Sequence, residues 1–315
     1  MTEPWPALPW HDWGPTLSTV HMWSQIVGKV RLALTPPRNH WWHVPLYVAA
    51  TGLTTSPIPY GRRHFQIDFD FVDHRLLVRD SDGRGYDQPL AAMSVARFYR
   101  DLMTGLRSLD IDVRIWPHPV EVADAIPFES DEQHASYDRG HAAALWQGLV
   151  QADRVLKAFQ TGFVGKVSPV QLFWGGFDLA TSRYSGRPAP RHPGGIPNCP
   201  DWVMEEAASQ EEHATGWWPL NAAFGPAFYA YVYPEPDGFR ASPIGPGAAF
   251  FDGQLGDFIL PYDAVREAED PDGTALAFFE STYARGADLG RWNRAALEPA
   301  VRPGRPPTRP WSVRR

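Results

Sequence analysis

The sequence predicts an α+β fold built from two similar halves, each an antiparallel sheet with helices packed on one face. Three observations predict it. Both halves read helix, several antiparallel strands, helix. The stretch NHWWHVPLYVAATGLTTSPIP, residues 39–59, has a weaker echo in SPVQLFWGGFDLATSRYSGRP, residues 168–188, with Leu46 falling on Leu172 and Leu53 on Leu179. The helices ahead of these stretches also match in register, with Trp23 on Trp146, Val27 on Val150 and Arg31 on Arg154. Together they read as a diverged internal duplication. The first half spans 1–120 and the second 121–298, with an insertion at 188–226, and the two form one compact unit.

Taken in order, the elements follow from periodicity. Leu17, Val20, Ile26, Val27, Val30 and Leu34 have helical spacing, so 16–34 is a helix, with Pro15 in its first turn and Pro36-Pro37 stopping it. Strands are expected near 43–50 and 52–58. HFQIDFDFV, residues 64–72, alternates strictly, with Phe65, Ile67, Phe69 and Phe71 on one face and Gln66, Asp68 and Asp70 on the other. Residues 74–79 return through the Asp82-Gly83 turn to a strand near 84–88. A helix over 91–109 carries Val95, Phe98, Leu102 and Leu106 on one stripe, and a strand over 111–116 follows. The 117–127 loop is the seam. A long helix covers 137–163. AFYAYVY, from Ala227, takes the place of HFQIDFDF, so that Tyr229 and Tyr231 fall where Asp68 and Asp70 do. Strands near 247–251 and 256–260 and helices over 261–268 and 274–287 complete the second half. Residues 299–315, rich in proline and arginine, have the composition of a disordered tail.

With 315 residues, 43% hydrophobic and 21% charged, the chain can bury a sizeable core. A net charge of −7 argues against nucleic acid and against an anionic membrane surface as partners. A single cysteine, Cys199, allows no internal disulfide and no cysteine-built zinc site. No signal-peptide pattern and no apolar run of membrane-spanning length is present, so a cytoplasmic location is expected. Arginine greatly outnumbers lysine, which reads as codon bias.

No Walker loop, GxGxxG, HExxH, CxxC or GxSxG motif occurs, so no catalytic residues, cofactor or metal site are assigned. His40-x-x-His43 supplies two metal ligands only if the chain turns there, because i and i+3 of a strand point apart. His40 as a hydrogen-bonded group at a strand mouth is the simpler reading. Candidate ligand-binding residues are His40, Trp42, Asp68, Asp70, Trp174, Arg183, Arg187, Glu211, Trp217, Trp218, Tyr229 and Tyr231. In each tandem tryptophan pair one member suits the core and the other a cleft. Asp68 and Asp70, on one strand face, suit acid–base work or a solvated surface. Arg183 and Arg187 suit a carboxylate or phosphate, or local ion pairs. The row of tyrosines suggests a covered face, which the insertion ending at Trp217-Trp218 would roof. The expectation is that Asp68 and Asp70 lie under that roof, with Trp217 or Trp218 in the same concavity.

NHWWHVPLYV, GLTTSPIPYG, FDFVDHRL, FWGGFDLATSRYSGRPAP, GWWP, FYAYVYPEPDGF, LPYDAVR and STYARGAD together resemble a bacterial family catalogued as domain of unknown function five-nine-nine-six. The resemblance runs from about Trp5 to Glu298. It implies a single unit of bacterial origin and no assigned activity. The family carries a Ser-His-Glu run before its Gly-aromatic-Trp-Pro segment, and here that run reads Ser209-Gln210-Glu211. The missing histidine weakens a metal or general-base role there, and Glu211 remains a candidate. The leading reading is a protein that binds a small polar or planar ligand in an aromatic, acid-lined cleft. A carboxylate-dependent hydrolase or isomerase and a structural or interaction protein are the alternatives.

Overall fold

The computed structural model describes residues 4–219 and 225–298. The Pro/Arg-rich tail lies outside the described residues. The elements are α1 (Trp10–Leu34), β1 (Tyr47–Val48), β2 (Gly52–Thr54), β3 (Ile58–Tyr60), β4 (Arg63–Asp70), β5 (Arg75–Asp80), β6 (Gly85–Pro89), α2 (Val95–Ser108), α3 (Arg139–Phe159), β7 (Gln171–Phe173), β8 (Asp178–Pro188), α4 (Asp201–Ala207), β9 (Gln210–Trp218), β10 (Ala227–Tyr233), β11 (Phe250–Asp252), β12 (Asp257–Pro261), α5 (Tyr262–Arg266), α6 (Pro271–Leu289) and α7 (Arg294–Leu297). Two antiparallel sheets and their helices make the fold α+β.

The first sheet runs β1-β2-β4-β5-β6, with β3 continuing β2 along β4. The second runs β7-β8-β9-β10-β12-β11. The sheets meet edge to edge where Leu46 and Leu172 exchange both backbone hydrogen bonds, at 2.9 and 2.8 Å. Counted outward from that junction, β9 holds the position of β4, and β10 that of β5. Leu53 faces Phe69 across one sheet and Leu179 faces Trp217 across the other. Tyr229 and Tyr231 are therefore not the positional counterparts of Asp68 and Asp70.

Alternation puts Phe65, Ile67 and Phe69 of β4 beneath α2, where Phe98 stacks between Phe69 and Trp23 of α1. In the second half Phe228 and Trp217 meet α3, α5 and α6 through Phe279, Tyr262 and Gly148. One continuous hydrophobic core joins both halves. Ser94, Asp138 and Asp270 cap α2, α3 and α6 by accepting from the third backbone N–H beyond them. The 25-residue α1 is buried around its circumference from Trp13 to Arg31, so it acts as a central rod rather than a surface helix.

Several expected elements shift. α1 begins at Trp10, because burial of Trp13 outweighs the one backbone bond that Pro15 forfeits near the helix start. The strand expected over 43–50 shrinks to β1, since His40 and Trp41 take left-handed φ values of 55° and 59° and turn the chain. No strand forms over 111–116; the Asp112 N–H is met by the Tyr60 hydroxyl at 2.9 Å instead of a ladder. The largest change concerns the expected insertion. β9 is an inner strand of the second sheet, so among the described residues of that stretch it is the segment between β8 and β9 that departs from the sheet.

Candidate functional site

A cavity of about 920 Å³ lies over the outer face of the second sheet. Strand alternation builds its floor. Asp178, Ser182 and Tyr184 of β8, Glu212 and Ala214 of β9, Tyr229, Tyr231 and Tyr233 of β10 and Asp257 of β12 face it, while Leu179, His213, Phe228 and Val232 go to the core. The segment between β8 and β9 is the roof, with Ile196, Cys199, Trp202 and Met204 lining it. Lys29, the His40–Trp42 turn, Trp174 and residues 114–121 form the walls. Large apolar groups stand exposed at the rim: Trp116 at 55%, Trp202 at 54% and Leu255 at 44%.

Five carboxyl groups line the cavity; Glu235 pairs with Arg240 at 2.8 Å, whereas Glu121, Asp178, Glu212 and Asp257 have no arginine partner among the described residues. Burial pushes Glu212 and Asp257 up to about 7, with Asp178 adding to the shift at Asp257. Asp178 rises to about 6 through burial, held back by the hydrogen bond that the Tyr229 hydroxyl donates to it. Glu121 rises to about 7 through burial and the charge of Asp178. Glu121 is exposed by surface area, at the cavity wall, although its carboxyl lies close against the Gly175-Gly176 backbone. Glu121 and Asp178 converge over Gly176, where a Cβ would sit 3.2 Å from Glu121 Oε2 and 3.5 Å from Asp178 Oδ1. At Gly175 a Cβ would fall 2.0 Å from Glu121 Oε1, so this carboxyl needs the bare backbone of the Gly-Gly turn.

That convergence is built from α1. His21 Nε2 donates to the Gly175 carbonyl at 2.7 Å, and Gln25 bridges the same carbonyl to Val120, donating to its O at 2.8 Å and accepting from its N at 2.9 Å. One helical turn thus ties the Gly-Gly turn to the segment carrying Glu121. Trp174 packs across Gly28, where a Cβ would lie 2.2 Å from its Nε1, and donates to the Val44 carbonyl at 2.9 Å. On the opposite wall His40 Nδ1 donates to the Ala207 carbonyl at 2.7 Å, which leaves Nε2 to accept from Lys166 Nζ. Burial, aided by that ammonium, lowers its pKa and keeps the ring neutral. Among the described residues no three His, Cys, Asp or Glu side chains are placed to hold a metal ion. His43 Nδ1 accepts from the Arg38 N–H at 3.2 Å and does not join His40.

A family model described as a family of unknown function, DUF5996, matches residues 5–299. The chain belongs to DUF5996. No curated protein and no solved structure matches it. Among the described residues no helix of this DUF5996 chain is long and apolar enough to cross a membrane.

Five of the twelve residues singled out from the sequence line the cavity: His40, Trp42, Trp174, Tyr229 and Tyr231. The other seven do not, and their places differ. Asp68 lies on the outer face of the first sheet, accepting from Gln66 Nε2 at 2.8 Å, and Asp70 caps the turn after β4 through the N–H groups of Val72 and Asp73. The roof covers the second sheet, not theirs. Arg183 points into the helix layer, over the Phe159 ring and paired with Glu280 at 3.1 Å. Arg187 and Glu211 pair with each other at 2.6 Å near the surface. Trp217 is fully buried on the core face. Trp218 stands on the cavity's side of the sheet, beside Tyr229 and Phe173, and donates to the Gly176 carbonyl at 2.9 Å without lining the space.

Sequence reasoning missed Lys29, Glu121, Asp178, Glu212 and Asp257. The signal for Glu212 was alternation: its neighbours Glu211 and His213 face the other way in β9. For Lys29 it was rarity, since the chain has three lysines among 29 basic residues.

Proposed function

We propose that this DUF5996 protein binds a small, planar ligand with polar edges in the roofed cavity of its second half. The observation that carries this reading is the pairing of an aromatic lining with four carboxyl groups, those of Glu121, Asp178, Glu212 and Asp257, that form no salt bridge among the described residues. Tyr229 and Tyr231 stack at 6.3 Å along the floor, with Trp42, Trp174 and Tyr184 beside them. Aromatic walls take a flat body, and fixed polar groups orient its edge. A carboxyl near neutrality both donates and accepts, which suits a ring bearing amide, amino or hydroxyl groups. A thermal-shift screen of nucleobases, aromatic amines and aromatic acids tests it. Binders should raise the melting temperature by several degrees, and Tyr231→Ala or Trp42→Ala should remove the shift while the fold persists. Binding that is indifferent to both substitutions, or no binder in any class, would overturn the reading.

Turnover of the ligand is a second reading, favoured by one observation. Glu121 and Asp178 meet over Gly176 with their carboxyls raised to about 7 and 6, an arrangement suited to one proton donor and one acceptor. That is the chemistry of a carboxylate-dependent hydrolase or isomerase. We further propose that the two halves derive from an internal duplication. The support is the backbone pairing of Leu46 with Leu172, residues that the sequence echo itself aligns, and the shared outward order of strands. A free small molecule rather than a nucleic acid or a membrane fits the net charge of −7. The cytoplasm and a bacterial source remain the setting we propose.

A further inference from the structure

We infer that Lys29 is an amine nucleophile that forms an imine with a small aldehyde or ketone held in the cavity. This rests on the cavity being the ligand site. Lys29 projects from α1 into the cavity wall, is only 4% exposed, and has no hydrogen-bond or ion-pair partner among the described residues. Its neighbours are the indoles of Trp116 and Trp174, with Nζ 5.0 and 5.7 Å from their ring centres. The other two lysines are engaged: Lys157 with Asp153 at 2.6 Å, Lys166 with His40 and with Gln210 at 3.2 Å.

The residue type is informative in this chain. Arginine supplies nearly all of the 29 basic side chains, and it would stack on indoles or pair with an anion at least as well as lysine. What arginine cannot do is release its proton and expose a lone pair. Burial does this for lysine, and it lowers the Lys29 ammonium to about 8. An amine desolvated in an apolar pocket is the usual form of an imine-forming lysine. The nearby thiol is not a competitor, because burial and the charge of Glu121 raise the pKa of Cys199 and keep it protonated.

The step balances within the cavity. Neutral Nζ adds to the carbonyl carbon, and proton transfer from nitrogen to oxygen gives the carbinolamine. The nitrogen lone pair then forms the C=N bond as the C–O bond breaks, the hydroxyl departs as water with one former amine proton and one proton from an acid, and the other amine proton stays on the protonated imine. The departing hydroxyl needs a proton, and Glu121 or Asp178, facing the same space with carboxyls raised towards neutrality, can carry it. The indoles of Trp116 and Trp174 stabilise the protonated imine as they do the ammonium.

Reductive trapping tests the inference. The full chain is incubated near neutral pH with benzaldehyde or phenylpyruvate and cyanoborohydride, and the adduct is mapped by mass spectrometry. The expected result is labelling of Lys29 at least about tenfold faster than Lys157 or Lys166, since Lys157 is held by Asp153, Lys166 by His40 and Gln210, and only Lys29 among the three lines the cavity. Labelling at that peptide should vanish in Lys29→Arg and in Lys29→Met, whose circular dichroism reports whether each folds. Equal labelling of the three lysines would overturn the inference. So would an unlabelled Lys29 when the same probe raises the melting temperature, because Lys29 then only offers charge to the ligand. In that case the cavity remains a binding site; absence of both labelling and thermal shift by any ligand class defeats the cavity reading itself.

Discussion

The two sheets bury alike on the face turned to the helices and differ on the other. On the first sheet the outer face carries charges that pair with one another in water: Asp87 lies between Arg75 and Arg79, bonded to both, and their charges and hydrogen bonds hold its carboxyl below the usual range. On the second sheet the outer face carries Asp178, Glu212 and Asp257 with no arginine, and a segment between β8 and β9 covers them. The same kind of residue titrates low on one face and high on the other. Cover, rather than residue identity, makes the difference, because a carboxylate removed from water and denied a counter-charge favours its protonated form.

The likeness of the inner faces gives the largest predicted effect. Phe69 and Trp217 occupy matching positions opposite Leu53 and Leu179, and both are buried to within 1% of fully. Phe69→Ala and Trp217→Ala should each lower unfolding free energy by about 4 kcal/mol in denaturant titration, through lost burial and the cavity left behind. Trp42→Ala, at the cavity wall, should cost far less. A Trp217→Ala protein as stable as Trp42→Ala would break the division between core face and ligand face.

The contrast of the outer faces gives the second effect, which depends on pH. Glu212 has an ordinary value of 4.5 and is held at about 7 by burial in the folded chain. Between these values the folded protein keeps a proton that the unfolded chain has lost. Stability from this group therefore falls as pH rises from about 4.5 to about 7 and is level above that. Glu212→Gln mimics the protonated form. It should match the parent near pH 4.5 and exceed it by on the order of 2 kcal/mol near pH 8. A difference that does not change with pH would show that the Glu212 carboxyl is not held protonated.

What the sequence made legible was periodic, and what it hid was long-range. Strict alternation in β4 and helical spacing in α2 and α3 located those elements, because each buries one face against a layer. The roof could be inferred from Tyr229 and Tyr231 of β10, since tyrosines side by side on one face of a strand call for cover. Which sheet lay beneath it could not, because that depends on β9 entering between β8 and β10. An acidic run before Gly216-Trp217-Trp218 reads as a solvated helix until the neighbouring strands are known. Pairing then sorts it residue by residue, sending Glu212 to the cavity, His213 to Thr282 in the core at 3.0 Å, and Glu211 to Arg187. Glu121 was beyond reach for a similar reason: its place is set by Gln25 and the Gly175-Gly176 turn, each far from it in sequence.

The smallest effect is expected at Asp68, and it is the sharpest control on the comparison. Asp68 sits on the uncovered sheet, and its two oxygens accept from Gln66 Nε2 at 2.9 and 2.8 Å. Asparagine keeps an oxygen for that bond and leaves the residue where water can reach it. Asp68→Asn should therefore change stability by less than about 0.5 kcal/mol. Any ligand-induced rise in melting temperature should stay as it is in the parent. Asp70→Asn, one pair further along, should cost about 1 kcal/mol, because Asp70 Oδ1 holds the Val72 and Asp73 N–H groups at 2.8 Å. Loss of ligand stabilisation in Asp68→Asn would put the binding site on the first sheet and undo the distinction between an open face and a covered one. Retention there, with loss in Tyr231→Ala, would place the difference between the halves in the segment that covers the second sheet.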